Sequence, residues 1–205
     1  LISQRRGRAT PRYIAPSKRY QGRAAHVSMN KEELKGEIID LVNCRGHFAP
    51  LAKVKYDNGE NCLMIAPDGI KVGDNISAGS KGDTTLGNVM SLKDIPEGTL
   101  IYNIESQPGD GGKFCRTSGT FGRLVSKSQK TVTIILPSKK EKKFCPDCRA
   151  NIGIVAGAGR KEKPFLKAGK VYHAKKNRNK LWPSVSGNSM NAVDHPFGGS
   201  KSNSK

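Results

Sequence analysis

No stretch of this 205-residue chain approaches the ~18 consecutive apolar residues of a membrane-spanning helix. The longest dense apolar run is residues 132–136, Val-Thr-Ile-Ile-Leu. Residues 1–25 are basic throughout with no apolar middle, so no secretory signal is visible in them. Cysteine is scarce and odd in number, with five residues at positions 44, 62, 115, 145 and 148. Their irregular spacing argues against a secreted disulfide framework and for an intracellular protein. Aromatics are 6% and hydrophobic residues 35%, thin for a single large core, so one domain or two small ones are expected. Acidic residues are the scarcest charge: 17 Asp and Glu stand against 36 Lys and Arg, a formal net charge of +19. Such a charge repels itself unless a polyanion neutralises it, which makes nucleic acid the first partner to expect.

The charge is not spread evenly. Residues 1–25 carry +7 and no acid, residues 26–110 carry −5, and residues 111–205 carry +17. A mildly acidic piece is thus flanked by two strongly basic ones. Blocks of like charge bury little and repel, but beside a phosphate backbone they release counterions and bind. The first 25 residues have no apolar period, and Gly7, Pro11, Pro16 and Gly22 interrupt any helix. They read as an extended arm, ordered only on its partner. Tyr13 and Tyr20 within it serve either to stack on bases or to anchor the arm.

The rest reads as mainly β. Apolar alternation predicts strands over 37–42, 52–56, 61–66, 71–76 and 87–92, then over 99–104, 119–126, 131–136, 142–145 and 150–155. Asn58-Gly59 between two strands predicts a type I′ hairpin, in which both central residues take positive φ. Strands this short, with turn signals this close, suggest two small barrels. A short helix is expected within 168–179, and nothing periodic is seen beyond residue 181. The expected organisation is a basic arm (1–30), a first barrel (31–97), a second barrel (98–156) and a basic C-terminal extension (157–205).

Three motifs invite chemistry. Residues 108–114, Pro-Gly-Asp-Gly-Gly-Lys-Phe, resemble a phosphate loop. They lack the first Gly of a Walker A, since position 107 is Gln, and the Ser or Thr after Lys, since position 114 is Phe. A tight turn between strands is the expected reading; the alternative is exposed amides and Lys113 approaching phosphate. Cys145-Pro-Asp-Cys148 is half a zinc knuckle with no second half, so no metal is expected, and no other cofactor either. Asp194-His195 suggests acid–base work, but adjacent residues in extended chain point opposite ways and no nucleophile motif accompanies them. No catalytic residue is therefore assigned, and the chain is not expected to be an enzyme. Residues 187–199 mix small residues and amides with Met190, Val193 and Phe197, which cannot bury themselves and call for a preformed partner surface.

The chain resembles a known family. The resemblance rests on Gln4–Arg8, Ala15–Tyr20, Ile65–Gly69 and Ile95–Gly98. It continues through Asn103–Ser106, Pro108–Phe114, Cys148–Ala150 and Gly157–Arg160. It ends on Lys163–Gly169, Trp182-Pro183 and, most specific of all, Met190–Gly199. In this order they resemble the universal large-subunit ribosomal protein two, in its archaeal and eukaryotic-type form. Phe197, where the bacterial pattern has a second His, and Ala192, where it has Pro, match that branch. The family normally carries a further basic tail after the Gly pair, and only residues 200–205 stand there in this chain. Cys145 matches no family position.

The resemblance implies an OB-type barrel followed by an SH3-like barrel, with long basic extensions. It implies a structural protein of the cytoplasmic ribosome that binds large-subunit rRNA near the peptidyl-transferase centre. Other large-subunit proteins, and the small subunit, are implied as neighbours, and no membrane. The family's histidine maps onto His195, taken as RNA-facing rather than catalytic. On that basis Arg5, Arg6, Arg8, Arg12, Lys18, Arg19 and Arg23 are expected to contact phosphate from the arm. Lys113, Arg116, Arg149, Arg160, Lys163 and Lys167 are expected to do so from the second barrel and the C-terminal extension. Lys175, Lys176, Arg178 and Lys180 extend that set, and Asn188, Met190, Asn191 and His195 are candidates for shape-specific RNA contacts.

Overall fold

The computed structural model describes residues 11, 13–28, 33–79 and 83–199. The chain is mainly β, as expected, and divides into two units. One is Gln21–Lys163; the other combines Leu1–Tyr20 with Pro164–Lys205.

The first unit holds ten strands: β1 (Leu34–Val42), β2 (Leu51–Tyr56), β3 (Asn61–Ile65), β4 (Asn75–Ala78) and β5 (Val89–Ser91), then β6 (Leu100–Tyr102), β7 (Gly122–Lys127), β8 (Val132–Ile135), β9 (Glu141–Phe144) and β10 (Arg149–Ile152). They form one hydrogen-bonded sheet in the order β3-β2-β1-β4-β5-β10-β6-β7-β8-β9. Neighbours are antiparallel except β4 and β5, which meet in parallel at Ala78 and Val89. The last strand in sequence, β10, lies between β5 and β6 and so joins the two halves of the sheet.

Two apolar cores lie on this sheet. The first gathers Val27, Ile38, Ala52, Val54, Tyr56, Met64, Ala66, Ile76, Ala78 and Val89. The second gathers Met90, Leu92, Ile95, Ile101, Ile104, Leu124, Val132, Ile134, Phe144, Cys148, Ala150 and Ile152. Strand alternation divides them at β5: Val89 belongs to the first core and Met90, its neighbour, to the second. Each fully buried Ile or Leu contributes roughly 1.5–3 kcal/mol, so cores of this kind stabilise short strands that have little intrinsic preference.

Two expectations need correction. The strand predicted over 71–76 starts only at Asn75. Lys71–Asp74 is a turn instead, closed by the Lys71 amide donating to Asp74 Oδ2 at 2.9 Å, with Gly73 at φ 90°. The β2–β3 hairpin exists, but its turn is not type I′. Gly59 has φ 83°, whereas Asn58 is not among the residues with positive φ. The Gly59 amide donates to the Tyr56 carbonyl at 2.9 Å and the Tyr56 amide to the Glu60 carbonyl at 3.0 Å, a type I turn followed by a left-handed Gly. Asn58 Oδ1 accepts the Glu60 amide at 3.0 Å, so its side chain does locally what a second positive φ would have done.

In the second unit, Ser17–Arg19 forms one turn of 3-10 helix and Ala168–Asn177 forms helix α1. The arm is therefore not simply extended over its described part. Asn179, just past α1, holds it: Nδ2 donates to the Pro11 carbonyl at 2.6 Å and to the Ile14 carbonyl at 2.7 Å. Helix α1 has Lys175 and Lys176 in its last turn, which suits the helix dipole, but it contains no buried residue. A ten-residue helix with no buried residue gains little from packing and is marginal in water on its own.

Candidate nucleic-acid interface

The predicted basic residues fall into three groups. Arg5, Arg6, Arg8 and Arg12 lie outside the described residues. Lys18, Arg19, Arg23, Lys113, Arg160, Lys163, Lys167, Lys175, Lys176 and Lys180 are exposed, and none of them forms an ion pair among the described residues. Lys176 lies 5.6 Å from the Tyr172 ring, and Arg178 is half-buried. Tyr13 and Tyr20 are half-buried as well.

Arg116 and Arg149 form the third group, turned inward. Arg149 Nη2 and Nε donate to Glu105 Oε1 at 2.8 and 3.2 Å, and Nη1 donates to the Val27 carbonyl at 2.7 Å. Arg116 Nη2 donates to the Ala24 carbonyl at 2.7 Å and Nη1 to the Gly112 carbonyl. Their guanidinium groups thus hold residues 24–27 against the sheet of the same unit. His26 joins them, its Nε2–H donating to the Asn103 carbonyl at 2.8 Å. Burial pushes the His26 pKa down to about 4, with nearby Arg149 and Arg116 adding to the effect, and the opposing pull of Glu105 is too small to reverse it.

The glycine-rich loop 105–113 proves to be a turn that binds its own carboxylates. Glu105, fully buried, accepts the amides of Gly109 at 3.2 Å, Gly111 at 3.1 Å and Arg149 at 2.9 Å. Asp110 accepts those of Ser106 at 3.0 Å, Gln107 at 3.3 Å and Gly112 at 3.0 Å. The amides of Asp110 and Lys113 go to the Gln107 and Ile104 carbonyls. With Pro108 lacking a donor, every amide from 106 to 113 is taken, and none is left for phosphate. Burial raises both carboxyls, but the hydrogen bonds they accept outweigh it. Glu105 and Asp110 both titrate below the ordinary carboxylate range. Only the exposed Lys113 side chain faces outward from this loop as a cation.

Residues 187–199 fold back on themselves. The Met190 amide donates to the Gly187 carbonyl at 3.2 Å, Gly198 to His195 at 2.9 Å and Gly199 to Met190 at 3.1 Å. The close approach needs glycine: a Cβ on Gly187 would lie 2.4 Å from His195 Nδ1. His195 Nδ1 accepts the Phe197 amide at 3.1 Å, which places the proton of the neutral ring on Nε2. The His195 and Phe197 rings meet edge-on at 5.0 Å. Asn188 and Asn191 are exposed, Met190 and His195 half-buried, and Val193 is 69% exposed. The loop is a preformed shape with polar and apolar groups on its outside.

Comparison with known proteins agrees with this surface. The family described as Ribosomal Proteins L2, C-terminal domain, matches residues 85–205. Large ribosomal subunit protein uL2 of Archaeoglobus fulgidus is 49% identical over 98% of this chain and 85% of its own length. The same protein of Methanothermobacter thermautotrophicus is 48% identical over 97% of the chain and 84% of its own length. That of Natronomonas pharaonis is 46% identical, over 97% and 82% respectively.

The chain belongs to the uL2 family.

The relatives it matches are archaeal, and exposed lysines and arginines are the charged groups its surface presents in greatest number. Among the described residues no three His, Cys, Asp or Glu side chains converge as a metal site would require. Cys148 lies in the second core, where burial pushes its thiol up to about 11, while Cys145 is exposed. No helix among the described residues is long and apolar enough to cross a membrane. The lysines of the β8–β9 edge hairpin were not among the predicted contacts. Lys139, Lys140, Lys142 and Lys143 are all exposed around β9, and Lys142 Nζ sits 4.1 Å from the Phe114 ring centroid. Residues 139–143 contain no apolar residue, and lysines on an edge strand block sheet-to-sheet pairing, which is their ordinary reading.

Proposed function

We propose that this protein is a structural constituent of the large ribosomal subunit that binds large-subunit rRNA near the peptidyl-transferase centre. The observation that carries the reading is 46–49% identity to uL2 proteins over nearly the whole chain. The chemistry of the surface supports it. Exposed cations without acidic partners among the described residues occur in both units, and no residue of α1 is buried. Phosphates neutralise such cations and release their counterions.

In this reading Lys18, Arg19, Arg23, Lys113, Arg160, Lys163, Lys167, Lys175, Lys176 and Lys180 contact the RNA backbone. So do Arg5, Arg6, Arg8 and Arg12 from the arm, with Arg178 beside α1. Arg116 and Arg149 act from inside, holding residues 24–27 in place. Asn188, Met190, Asn191 and His195 meet irregular RNA through the shape of their loop, with His195 Nε2–H as a donor and not as a base. No catalytic step is assigned to the chain, and its site of action is the cytoplasmic ribosome, beside other large-subunit proteins and the small subunit. The test is equilibrium binding of the purified protein to large-subunit rRNA across a salt series. A Lys175→Ala/Lys176→Ala/Lys180→Ala variant should weaken binding and flatten the log–log salt slope by about 2–3. An unchanged slope would remove α1 from the interface.

A further inference from the structure

Arg160 is held by a ring and by a hydroxyl at once. Its guanidinium carbon lies 3.8 Å from the centroid of the Phe48 ring. Its Nε donates to Ser118 Oγ at 2.9 Å. Lys163, Lys167, Lys175 and Lys180, by contrast, have no side-chain partner among the described residues.

The holders come from far apart in sequence. Phe48 precedes β2 of the first half of the sheet, and Ser118, which is buried, precedes β7 of the second. Arg160 itself sits in the 3-10 turn Ala158–Lys161. The chain leading into that turn is tied down at residues 155 and 156. The Ala156 amide donates to the Ala66 carbonyl at 3.0 Å, and the Gly119 amide to the Val155 carbonyl at 2.9 Å. Gly119 lets the turn seat closely, since a Cβ there would lie 2.7 Å from Ala158 Cα. The backbone before Arg160 is thus tied to both halves of the sheet, and the ring and hydroxyl contacts set the plane of its side chain.

A purely structural role would be satisfied by the ring contact and the Ser118 bond alone. Yet Nη1 and Nη2 retain their N–H donors without a partner among the described residues, and both Arg160 and Phe48 are exposed, Phe48 to 45%. A guanidinium whose plane is already fixed loses little freedom when its two terminal nitrogens meet two oxygens. Lys161 and Lys163 flank it and outnumber Glu162, so the local potential is positive.

We propose that Phe48, Ser118 and Arg160 form a preorganised fork that grips one RNA backbone phosphate through both terminal nitrogens of Arg160. Phe48 and Ser118 are positioning residues; Arg160 makes the contact. The proposal rests on the rRNA-binding reading and sharpens it. It assigns to this point a geometric contribution that charge alone does not make.

The experiment uses the full chain with large-subunit rRNA and an unrelated RNA of equal length, in equilibrium binding over a KCl series. R160K, F48L and S118A change no formal charge. Each should lower rRNA affinity by about three- to tenfold with the salt slope unchanged. K163A, which removes an unheld charge, should weaken both RNAs alike and flatten the slope by about one. Phosphate-ethylation interference should show one position sensitive in the wild type and insensitive in R160K. Thermal melts check that each variant folds, and R160K, at an exposed side chain, keeps the test open if F48L does not. Wild-type binding by R160K, or an identical interference pattern, overturns the fork and leaves the rRNA reading intact. A wild-type protein that does not prefer rRNA to the unrelated RNA overturns both.

Discussion

Arg149 Nη2 donates to Glu105 Oε1 at 2.8 Å, and the Glu105 side chain has no exposed surface. A buried carboxylate is tolerable only when its oxygens are fully occupied, and here a guanidinium and three backbone amides occupy them. The pair fastens β10, the loop 105–113 and, through the Val27 carbonyl, residues 24–27 into one body. Glu105→Gln leaves Arg149 without its counter-charge and should cost about 3–5 kcal/mol in urea unfolding. A Glu105→Leu/Arg149→Met double variant should stay destabilised, because the amides of Gly109, Gly111 and residue 149 lose their acceptor. Full recovery in the double variant would show that the ion pair, and not the amide cradle, is what matters.

His26 makes stability depend on pH in a defined window. In the unfolded chain it takes up a proton near 6.5, whereas in the fold it does so only near 4. The unfolded state therefore binds more protons between those values. Its contribution is complete above pH 6.5 and is lost as the pH falls toward 4. Glu105 and Asp110, both lowered, contribute fully above the ordinary carboxylate range and lose that contribution as the pH falls through it. His26→Gln, which keeps a donor but no titration, should flatten the stability–pH curve between about 6.5 and 4. Chemical denaturation at half-unit pH steps reads this directly, and parallel curves for the two proteins would remove His26 as the source.

The glycines of loop 105–113 are not equivalent. A Cβ on Gly112, at φ 96°, would lie 2.3 Å from Asn103 Oδ1 and 2.7 Å from the Asn103 carbonyl. Gly109, at φ 83°, has nothing within 4 Å. Gly109→Ala should cost about 1–2 kcal/mol for the left-handed backbone alone. Gly112→Ala should cost at least about 3 kcal/mol, because a fully buried Asn103 cannot give way. Thermal melts of the two variants side by side measure the difference.

Much of this was legible in the sequence. Nine of the ten strands lie on or beside their predicted runs, some because they alternate between core and solvent, as Ala52–Tyr56 does, and β4 is met only at its first two residues. What misled at 71–76 was Val72, an apolar residue that is 54% exposed in a turn and carries no core signal. The insertion of β10 between β5 and β6 was invisible, since strand order depends on long-range pairing and not on local pattern. On the surface, charge counted cations but did not sort them. Arg149 and Lys163 look alike in sequence, yet one is turned to Glu105 and the other to solvent. The residue that sorts Arg149 inward lies 44 positions away. Phe48 escaped notice for the same reason, because its relation to Arg160 exists only in the fold.

Asn179 holds the arm through the Pro11 and Ile14 carbonyls while itself at φ 51°. Asn179→Gly keeps the backbone conformation available and removes the amide. Tryptic cleavage after Lys18 and Arg19 should speed up about threefold or more, with the melting temperature of the barrel unit unchanged. Equal cleavage rates would show that the arm is held by other contacts.

The central claim is that the protein lives in the large ribosomal subunit. Sedimentation of a native lysate through density gradients at moderate and then high salt tests it most directly. The protein should travel with the large-subunit particle in both, as expected of a component bound by many phosphate contacts and by shape. If it stays at the top of the gradient at moderate salt, the account is contradicted, and its cations serve some other partner.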